Sequence, residues 1–248
     1  MKVSVITSCF NSAQTIRATL DSIRAQDYPS IELVIVDGGS KDETMCIVEE
    51  YDDIVTIAIS ESDQGIYDAL NKGIALSTGE VIGFLHSDDF FSSPSSISTI
   101  AQAFQDEHVD AVYGDLDYVD RTDDKKIIRQ WRSQAFEAAL FYNGWMPAHP
   151  TFYLRKSCYD RLGGYDLSFK QSADYELMLR MLLKHGLKAK YIPEVLVKMR
   201  IGGASNVSVE NRWKANKEDA RAWKKNGIKP KAYTRWIKPL SKLTQYFK

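Results

Sequence analysis

Cysteine is scarce in this chain, which has three among its 248 residues: Cys9, Cys46 and Cys158. An odd number of widely spaced cysteines, without the paired spacing of metal ligands, argues against a disulfide framework and against a zinc ribbon. Long apolar runs are missing as well, because the stretches near Val34 and Val81 are only about five residues long, against the ~18–20 residues of a membrane span. The first residues lead directly into a strand, without the apolar stretch and cleavage site of a signal peptide. We therefore expect a cytoplasmic protein.

Net charge is nearly absent, at −1, but it is unevenly distributed. Residues 212–248 contain 12 lysines and arginines against two acidic residues, whereas the rest of the chain has 20 basic and 31 acidic residues. The tail is thus net +10 and the body net −11. A body this acidic argues against nucleic-acid binding and suits divalent cations. The 44% hydrophobic and 26% charged residues are those of a globular protein, which excludes disorder.

The first hundred residues alternate short strands with helices, which predicts βαβ units and a parallel sheet. The expected strands cover residues 3–7, 31–36, 55–59 and 81–85, and the expected helices begin after Asn11, at about Asp42 and at Ile66. Ligands of such sheets bind beyond the carboxyl ends of the strands. Polar residues cluster at those ends, namely Thr7, Asp37, Asp63, Asp88 and Asp89.

After residue 108 the pattern loosens, although no repeat, low-complexity tract or linker interrupts it. We expect strands at 109–118, 125–131, 151–154 and 189–197, and helices at 156–162, 173–184 and from about 210. This predicts one domain over residues 1–209, with a nucleotide-binding half (1–108) and an acceptor half (109–209). A basic, aromatic helical tail follows over 210–248.

Two adjacent carboxylates, Asp88 and Asp89, follow a buried strand. Like charges repel, so the pair needs compensation. A divalent cation that bridges to a diphosphate would supply it, while the alternative is an acidic loop or cap before the helix at Pro94. Asp37 ends the second strand in a Gly-Gly-Ser loop, where a ligand can approach closely. The alternative for Asp37 is an ordinary acidic residue at the end of a strand. Lys72 is a candidate phosphate ligand, and its alternative is a solvated surface lysine.

Seven short motifs occur in a fixed order: Val5–Asn11, Val34–Ser40 with Asp42 and Thr44, Asp63–Gly73, Ser87–Asp89, His149–Phe152, Leu162–Asp166 and Ala173–Arg180. Together they resemble glycosyltransferase family 2, the inverting nucleotide-sugar transferases, and most closely its bacterial exopolysaccharide and O-antigen subgroup. The resemblance covers about residues 1–205. It implies an α/β GT-A fold, a Rossmann-like mixed sheet flanked by helices, with a C-terminal helical extension.

The resemblance also implies a donor site and a metal. The residues that would contact the nucleotide or donor sugar are Thr7, Asp37, Asp63, Lys72, Asp88 and Arg200. Asp89 would bind Mg²⁺ or Mn²⁺ between the two phosphates. Because Ser87 stands at the first place of the family's Asp-any-Asp motif, metal binding depends mainly on Asp89.

On the acceptor side, the resemblance makes Asp174 the general base, which takes the proton of the acceptor hydroxyl. Many family members carry Glu-Asp here, and this chain has Ala-Asp. The alternative is a helix cap, a place that Ser172 can also fill. His149 faces the metal or the acceptor, or only shapes a turn before Pro150. Asp115, in a second Asp-any-Asp sequence, is expected on the acceptor-side wall or on a plain strand surface.

The tail combines aromatic with basic residues, including Trp213, Trp223 and Trp236. Such a segment suits an anionic membrane surface, where a lipid-linked acceptor would lie. The alternative is a helical pair that packs on the acidic body or at a homodimer interface. Neither Arg-Trp pair is preceded by the glutamine of the Gln-any-any-Arg-Trp signature of processive synthases, which favours single-addition transfer.

The resemblance thus implies metal-assisted transfer from a nucleotide-diphosphate sugar to a saccharide or lipid-linked acceptor in surface polysaccharide synthesis, and UDP is the nucleotide expected from the family. Two alternatives remain: a non-catalytic nucleotide-sugar-binding scaffold subunit and a sugar-phosphate nucleotidyltransferase. The latter normally has a glycine-rich loop after the first strand, where this chain has Ser8-Cys-Phe-Asn11.

Overall fold

The computed structural model of the chain describes residues 1–202, 209–231 and 233–234. The strands are β1 (Val3–Cys9), β2 (Ile31–Asp37), β3 (Val55–Ser60), β4 (Val81–Phe84), β5 (Asp89–Phe91), β6 (Ala111–Val119), β7 (Ile127–Trp131), β8 (Tyr153–Arg155) and β9 (Ala189–Arg200). The α-helices are α1 (Ile16–Arg24), α2 (Thr44–Glu49), α3 (Ile66–Leu76), α4 (Ser96–Ala103), α5 (Ala138–Tyr142), α6 (Lys156–Leu162), α7 (Ala173–Met178) and α8 (Val209–Lys225).

The strands of the described residues form one mixed sheet in the order β3-β2-β1-β4-β8-β6-β9-β5, with β7 paired to β6. Strands β1 to β4 are parallel, and Val5 of β1 lies between Leu33 of β2 and Gly83 of β4. Strand β8 runs antiparallel between β4 and β6, whereas β9 is parallel to β6. The predicted Rossmann-like mixed sheet is therefore confirmed.

Helices cover both faces of the sheet, and the buried residues of β1 alternate between them. Val3 and Val5 pack into the core under α1 and α4, while Ile6 packs into the core that contains α3 and α7. The run 33–36 of β2 is buried throughout. Burial on both faces is typical of parallel strands, and it explains why this segment is almost wholly apolar.

Helix α3 lies unusually close to β1. A Cβ atom at Gly73 would stand 2.4 Å from Cγ2 of Ile6, which is too short for any non-bonded contact. Glycine at this position thus allows the helix to pack against the strand. The contact fixes α3, and with it the direction of the side chains that α3 presents to the acceptor half.

Two elements were not predicted from the sequence, and a third differs in kind. Strand β5 has only three residues and is defined by its antiparallel pairing with β9, which no local pattern reveals. Helix α5 lies within an aromatic-rich stretch without clear periodicity. The helix predicted over 173–184 is α7 followed by a π-helical segment, Leu179–Lys184.

The described part of the tail packs on the acceptor half. Trp223 of α8 is only 2% exposed and donates its indole N–H to Tyr175 Oη at 2.9 Å. Its ring lies 5.1 Å from that of Tyr142, and Lys225 forms an ion pair with Asp166. This segment therefore follows the packing alternative.

The predicted membrane contact concerns mostly residues of the tail that the structure does not describe. Residues 235–248, with Trp236, lie outside the described residues, as do Ala232 and the side chain of Trp213. Within the part of the chain that is described, no helix combines the length and the apolar character needed to cross a membrane.

A buried carboxylate, Glu32, lies near the amino-terminal ends of the parallel strands β1 and β2. It accepts hydrogen bonds from Ser4 Oγ at 2.5 Å and from the backbone N–H of Thr78 at 2.7 Å, and it is 3% exposed. Burial alone would raise the pKa of Glu32, but the hydrogen bonds from Ser4, Thr78 and Gly79 outweigh it, so that the pKa lies below its usual value.

We expect Glu32→Gln to destabilise the fold by about 1–3 kcal/mol at neutral pH, because the ionised carboxylate is the better acceptor. A depressed folded-state pKa stabilises the protein above the unfolded value of about 4.3 and loses this effect as the pH falls through the folded value. The difference in melting temperature from wild type should therefore shrink below about pH 4. Thermal unfolding between neutral and acidic pH measures it, and a difference independent of pH would contradict the prediction.

Candidate active site

The loops at the carboxyl ends of the parallel strands are joined to one another. The backbone N–H of Asn11 donates to Ser40 Oγ at 2.7 Å, and Asn11 Oδ1 accepts from the N–H of Lys41 at 2.9 Å. The hydroxyls of Ser12 and Ser87 are 2.8 Å apart. Asn11 has a φ of 48°, a left-handed conformation that asparagine tolerates. Several motif residues thus build a fixed rim around this edge of the sheet.

Asp37 is fully buried at this rim, and its carboxylate is already occupied by protein donors. It accepts from the N–H groups of Gly39 and Ser40 at 3.1 and 2.9 Å, and from the hydroxyls of Ser40 and Ser60. Burial alone would raise the pKa of Asp37, but these hydrogen bonds outweigh it and lower the pKa. Asp37 therefore holds the loop as an anion, and its contact with a nucleotide stays a prediction.

Asp63 lies against the same loop. Its Oδ1 accepts from the N–H of Gly65 at 2.8 Å. A Cβ atom at Gly38 would be 2.7 Å from Asp63 Oδ2 and 3.4 Å from the ring of Phe10, so glycine leaves room for the carboxylate. Phe10 is 61% exposed. The structure thus brings Asp63, the loop after β2 and an uncovered aromatic ring together.

Lys72, on α3, is paired with acidic residues beside Asp63. Its Nζ lies 2.8 Å from Glu61 and 3.8 Å from Asp68, and it donates to the carbonyl of Ser62 at 3.1 Å. The hydrogen bond to Glu61 is the main reason that the pKa of Lys72 is raised. A phosphate at this position would compete with Glu61 for the ammonium group.

Asp89 is the most unusual carboxylate in the described residues. It is fully buried, and neither of its oxygens has a hydrogen-bond partner. Burial, together with the charge of Asp88, holds the pKa of Asp89 well above its usual range, while Arg200 acts in the opposite direction. Buried polar groups without a partner are rare, and a buried carboxylate needs a compensating charge.

Asp88 and Asp89 fit a divalent metal ion. Among the described residues, no group of three acidic, histidine or cysteine side chains could hold a metal ion. Mg²⁺, however, is commonly bound by one or two carboxylates together with substrate phosphates. Arg200 Nη1 donates to the carbonyl of Asp88 at 3.0 Å, which places a cation beside the pair. Residues 203–208, shortly after Arg200, lie outside the described residues.

Two stacked histidines, His86 and His149, lie near Asp88 and Asp174. The rings of His86 and His149 are 5.8 Å apart, with His86 Nδ1 3.0 Å from Ser8 Oγ and His149 Nε2 2.6 Å from Tyr165 Oη. Burial lowers the pKa of each histidine to about 4, so both are neutral at pH 7. The charges of Asp88 and Asp174 both act on His86 in the direction that raises its pKa, so both carboxylates lie near this ring.

Asp174 is not a helix cap. The N-cap position of α7 is Ser172, and Asp174 Oδ1 instead accepts from Tyr67 Oη at 3.2 Å. Glu176, the other acid in the first turn, is 2% exposed and forms an ion pair with Arg180 at 3.0 Å. Of these two acids, Asp174 is the one that faces the histidines.

Glu218, on α8, fixes the turn that precedes Asp174. Glu218 accepts hydrogen bonds from the N–H groups of Lys170, Gln171 and Ser172 at 2.9, 2.8 and 3.0 Å. Three donors on one carboxylate order the turn before α7. Sequence reasoning missed Glu218, since its partners lie almost fifty residues earlier.

We expect Glu218→Gln to lower the free energy of unfolding by about 1–3 kcal/mol, because the amide replaces a charged acceptor. At about 2–4 °C per kcal/mol, this is visible as a lower melting temperature. Hydrogen exchange at residues 170–172 should also become faster. Glu107→Gln, on an exposed turn, makes the same charge change and should alter neither; equal effects of the two variants would contradict this role.

The second Asp-any-Asp sequence is neutralised within the protein. Asp115 accepts from the N–H of Ser133 at 2.7 Å and from Tyr191 Oη at 2.8 Å. Arg132 lies 3.7 Å from Asp115 and 2.7 Å from Asp117. These carboxylates already have a cation, and a place for Asp115 on an acceptor wall stays a prediction.

Thr7 and His149 are the remaining residues of the predicted site. Thr7 is fully buried, and its hydroxyl has no hydrogen-bond partner. His149 begins a short 3₁₀ turn and stacks on Phe84 as well as on His86, so its contact with a metal or an acceptor stays a prediction. The residues that sequence reasoning missed are Tyr67, His86, Tyr165 and Glu218.

Comparisons with known proteins show which sequences resemble this chain. The family model described as Glycosyl transferase family 2 matches residues 4–165. A "PGL/p-HBAD biosynthesis glycosyltransferase" of Mycobacterium bovis is 32% identical over 220 residues, which are 85% of this chain and 81% of that protein.

Solved structures share the fold. S. aureus TarS 1-349 in complex with UDP-GlcNAc has a TM-score of 0.69 at 19% identity, over 100% of this chain and 73% of that one. The mannosyltransferase PcManGT from Pyrobaculum calidifontis, in complex with GDP-Man and Mn²⁺, has a TM-score of 0.67 at 20% identity, over 98% and 74%. The predicted GT-A fold is confirmed.

Proposed function

The chain belongs to glycosyltransferase family 2 and is a glycosyltransferase, and from that premise we propose that it transfers a sugar, with inversion, from a nucleotide-diphosphate sugar to a hydroxyl group of a saccharide or lipid-linked acceptor. The observation that carries this proposal is the buried carboxylate of Asp89, which has no hydrogen-bond partner, together with the nearness of both Asp88 and Asp174 to His86, whose pKa is affected by the charges of both. Inverting transfer needs one site for the leaving group and one base opposite to it.

On the donor side, Asp89 and Asp88 would hold Mg²⁺ or Mn²⁺. When bound, such an ion neutralises the negative charge that develops on the departing nucleotide diphosphate. Arg200 adds a fixed positive charge next to Asp88. The loop at Asp37, with Asp63 and Phe10 beside it, supplies acceptors and an aromatic face suited to a base and ribose. The expected donor is a UDP-sugar.

On the acceptor side, Asp174 takes the proton of the hydroxyl group while the hydroxyl oxygen attacks the anomeric carbon of the donor. The bond to the diphosphate breaks on the opposite side of that carbon, so the configuration is inverted. His86 and His149 are neutral at pH 7 because burial lowers the pKa of each to about 4. They therefore shape the wall without adding charge between the two carboxylate sites.

The proposed lipid-linked acceptor and the proposed membrane location of the enzyme are supported by the composition of the tail. Residues 235–248 carry basic and aromatic residues that suit an anionic membrane surface. The name of the mycobacterial relative places that protein in PGL/p-HBAD biosynthesis. The composition of the tail supports a peripheral location at the cytoplasmic face, and surface polysaccharide synthesis is part of the same proposal.

Thermal stabilisation by UDP, GDP and dTDP, each with and without Mn²⁺, tests the proposal. A ligand at 100 times its dissociation constant stabilises the folded state by about 2.7 kcal/mol. We expect one nucleotide, UDP, to raise the melting temperature, and Mn²⁺ to increase the effect. No stabilisation by any nucleotide, followed by no transfer from any donor, would refute the nucleotide-sugar reaction.

A further inference from the structure

Tyr67 is the only side chain seen to donate a hydrogen bond to Asp174 among the described residues. We propose that Tyr67 is a positioning residue for the base: it occupies Oδ1 of Asp174 and leaves Oδ2 to receive the proton of the acceptor hydroxyl. This inference depends on the proposed role of Asp174. It assigns a function to the motif at residues 63–73 that is separate from nucleotide binding.

The ring of Tyr67 is fixed from two directions. Helix α3 is held on β1 by the close contact at Gly73. On its other side, the ring stacks on Tyr165 with centroids 5.5 Å apart and an interplanar angle of 27°. Side chains whose rings are packed in this way keep their hydroxyl in one place, which is what a positioning residue requires.

Tyr165 is itself fixed by α3. Asn71, one helical turn after Tyr67, donates Nδ2–H to the carbonyl of Tyr165 at 2.8 Å and accepts from its N–H at 2.8 Å. The Tyr165 hydroxyl lies 2.6 Å from His149 Nε2. One face of α3 thus presents Tyr67 to the base and Asn71 to the residue that supports Tyr67.

The chemistry of Tyr67 suits a permanent donor. Burial, and then the charge of Asp174, raises the pKa of Tyr67 far above its ordinary value, so the hydroxyl keeps its proton at every working pH. A hydrogen bond donated to a carboxylate favours the ionised form. The contact also fixes the orientation of the carboxylate, because Oδ1 is held by the hydroxyl of Tyr67.

The other groups near Asp174 do not duplicate this role. His86 and Tyr165 interact with its charge, but the hydrogen bonds of these two side chains are made to Ser8 and His149. Tyr67 is therefore the group whose loss should change the behaviour of Asp174 directly.

Tyr67→Phe keeps the ring stack and removes the hydroxyl. We expect kcat to fall about 10- to 100-fold, as for the loss of a hydrogen bond to a charged group, with KM for the donor unchanged. The acidic limb of the pH profile of kcat should move to higher pH, because the carboxylate is now protonated more readily. Fluorotyrosine at position 67, a stronger donor, should move the same limb to lower pH.

Tyr159→Phe is the matched control. Tyr159 belongs to the same core, and its hydroxyl is buried without a partner. We expect its removal to leave kcat and the pH profile unchanged. If both variants lower kcat equally and neither moves the acidic limb, Tyr67 has only a packing role and the proposal is overturned.

A readout without turnover separates this inference from the proposed function. In protein carrying ¹³C-labelled aspartate, the signal lost in Asp174→Asn identifies the carboxyl of Asp174. We expect it to titrate at higher pH in Tyr67→Phe than in wild type. If no donor supports transfer, the proposed function fails while this titration still decides the contact; if transfer occurs and neither the titration nor the acidic limb changes, the inference alone fails.

Discussion

Asp174→Asn is expected to lower kcat by about 10²–10⁴-fold, the usual contribution of a general base. The amide keeps the size of the side chain and can still accept from Tyr67, but it cannot take a proton from the acceptor. Because the donor site is formed by other residues, the thermal stabilisation by nucleotide and Mn²⁺ should be unchanged. Steady-state transfer assays, with nucleotide titrations monitored by thermal unfolding, measure both quantities.

The control for this variant is Asp160→Asn. Asp160 lies on the surface of α6, where it pairs with Lys156 at 2.8 Å, so the same chemical change should leave kcat as in wild type. Full transfer by Asp174→Asn would show that another group removes the proton. Glu176 is the neighbouring acid, but its ion pair with Arg180 makes it a poor substitute.

Asp89→Asn is expected to remove the Mn²⁺-dependent part of nucleotide binding. The metal contributes several kcal/mol of charge stabilisation in such sites, so transfer should fall by at least about 10²-fold at one decade per 1.36 kcal/mol. The melting temperature without ligand should not fall, because an unpaired buried carboxylate is unfavourable where it stands. Thermal unfolding with UDP, in the presence and absence of Mn²⁺, separates the two effects.

Asp117→Asn makes the same change in the other Asp-any-Asp sequence, where Arg132 already supplies the cation. We expect this control to retain the response to Mn²⁺. The opposite pattern, with the response lost in Asp117→Asn and kept in Asp89→Asn, would move the metal site to β6.

The sequence predicts the framework of the fold well because each element is encoded locally. Helix α3 begins at the predicted residue, Ile66, since a glycine precedes it and its apolar residues repeat at helical spacing. Residues 33–36 of β2 form a continuous apolar run, which is typical of a strand buried on both faces. Strand β5, by contrast, exists only through its pairing with β9, more than a hundred residues later.

The site is predicted less completely, for the same physical reason. The motifs point to Asp89 and Asp174, but the groups that support them act across long sequence separations. Tyr67 and Asp174 are 107 residues apart, and Glu218 and Lys170 are 48 apart. No periodicity links such pairs. Asp37 differs from these residues. The sequence predicts that it binds a ligand, whereas in the structure its carboxylate accepts hydrogen bonds from its own loop.

The three hydrogen bonds that Glu218 accepts have a consequence for the order in which parts of the chain become structured during synthesis. Domains fold during synthesis from the N-terminal side, and a ribosome completes the strands, the histidines and Asp174 before α8 is available. Until Glu218 has left the ribosome, the N–H groups of residues 170–172 lack their carboxylate acceptor. The turn that precedes the proposed base is therefore a part of the cleft whose hydrogen bonds are completed late, after α8 has been synthesised.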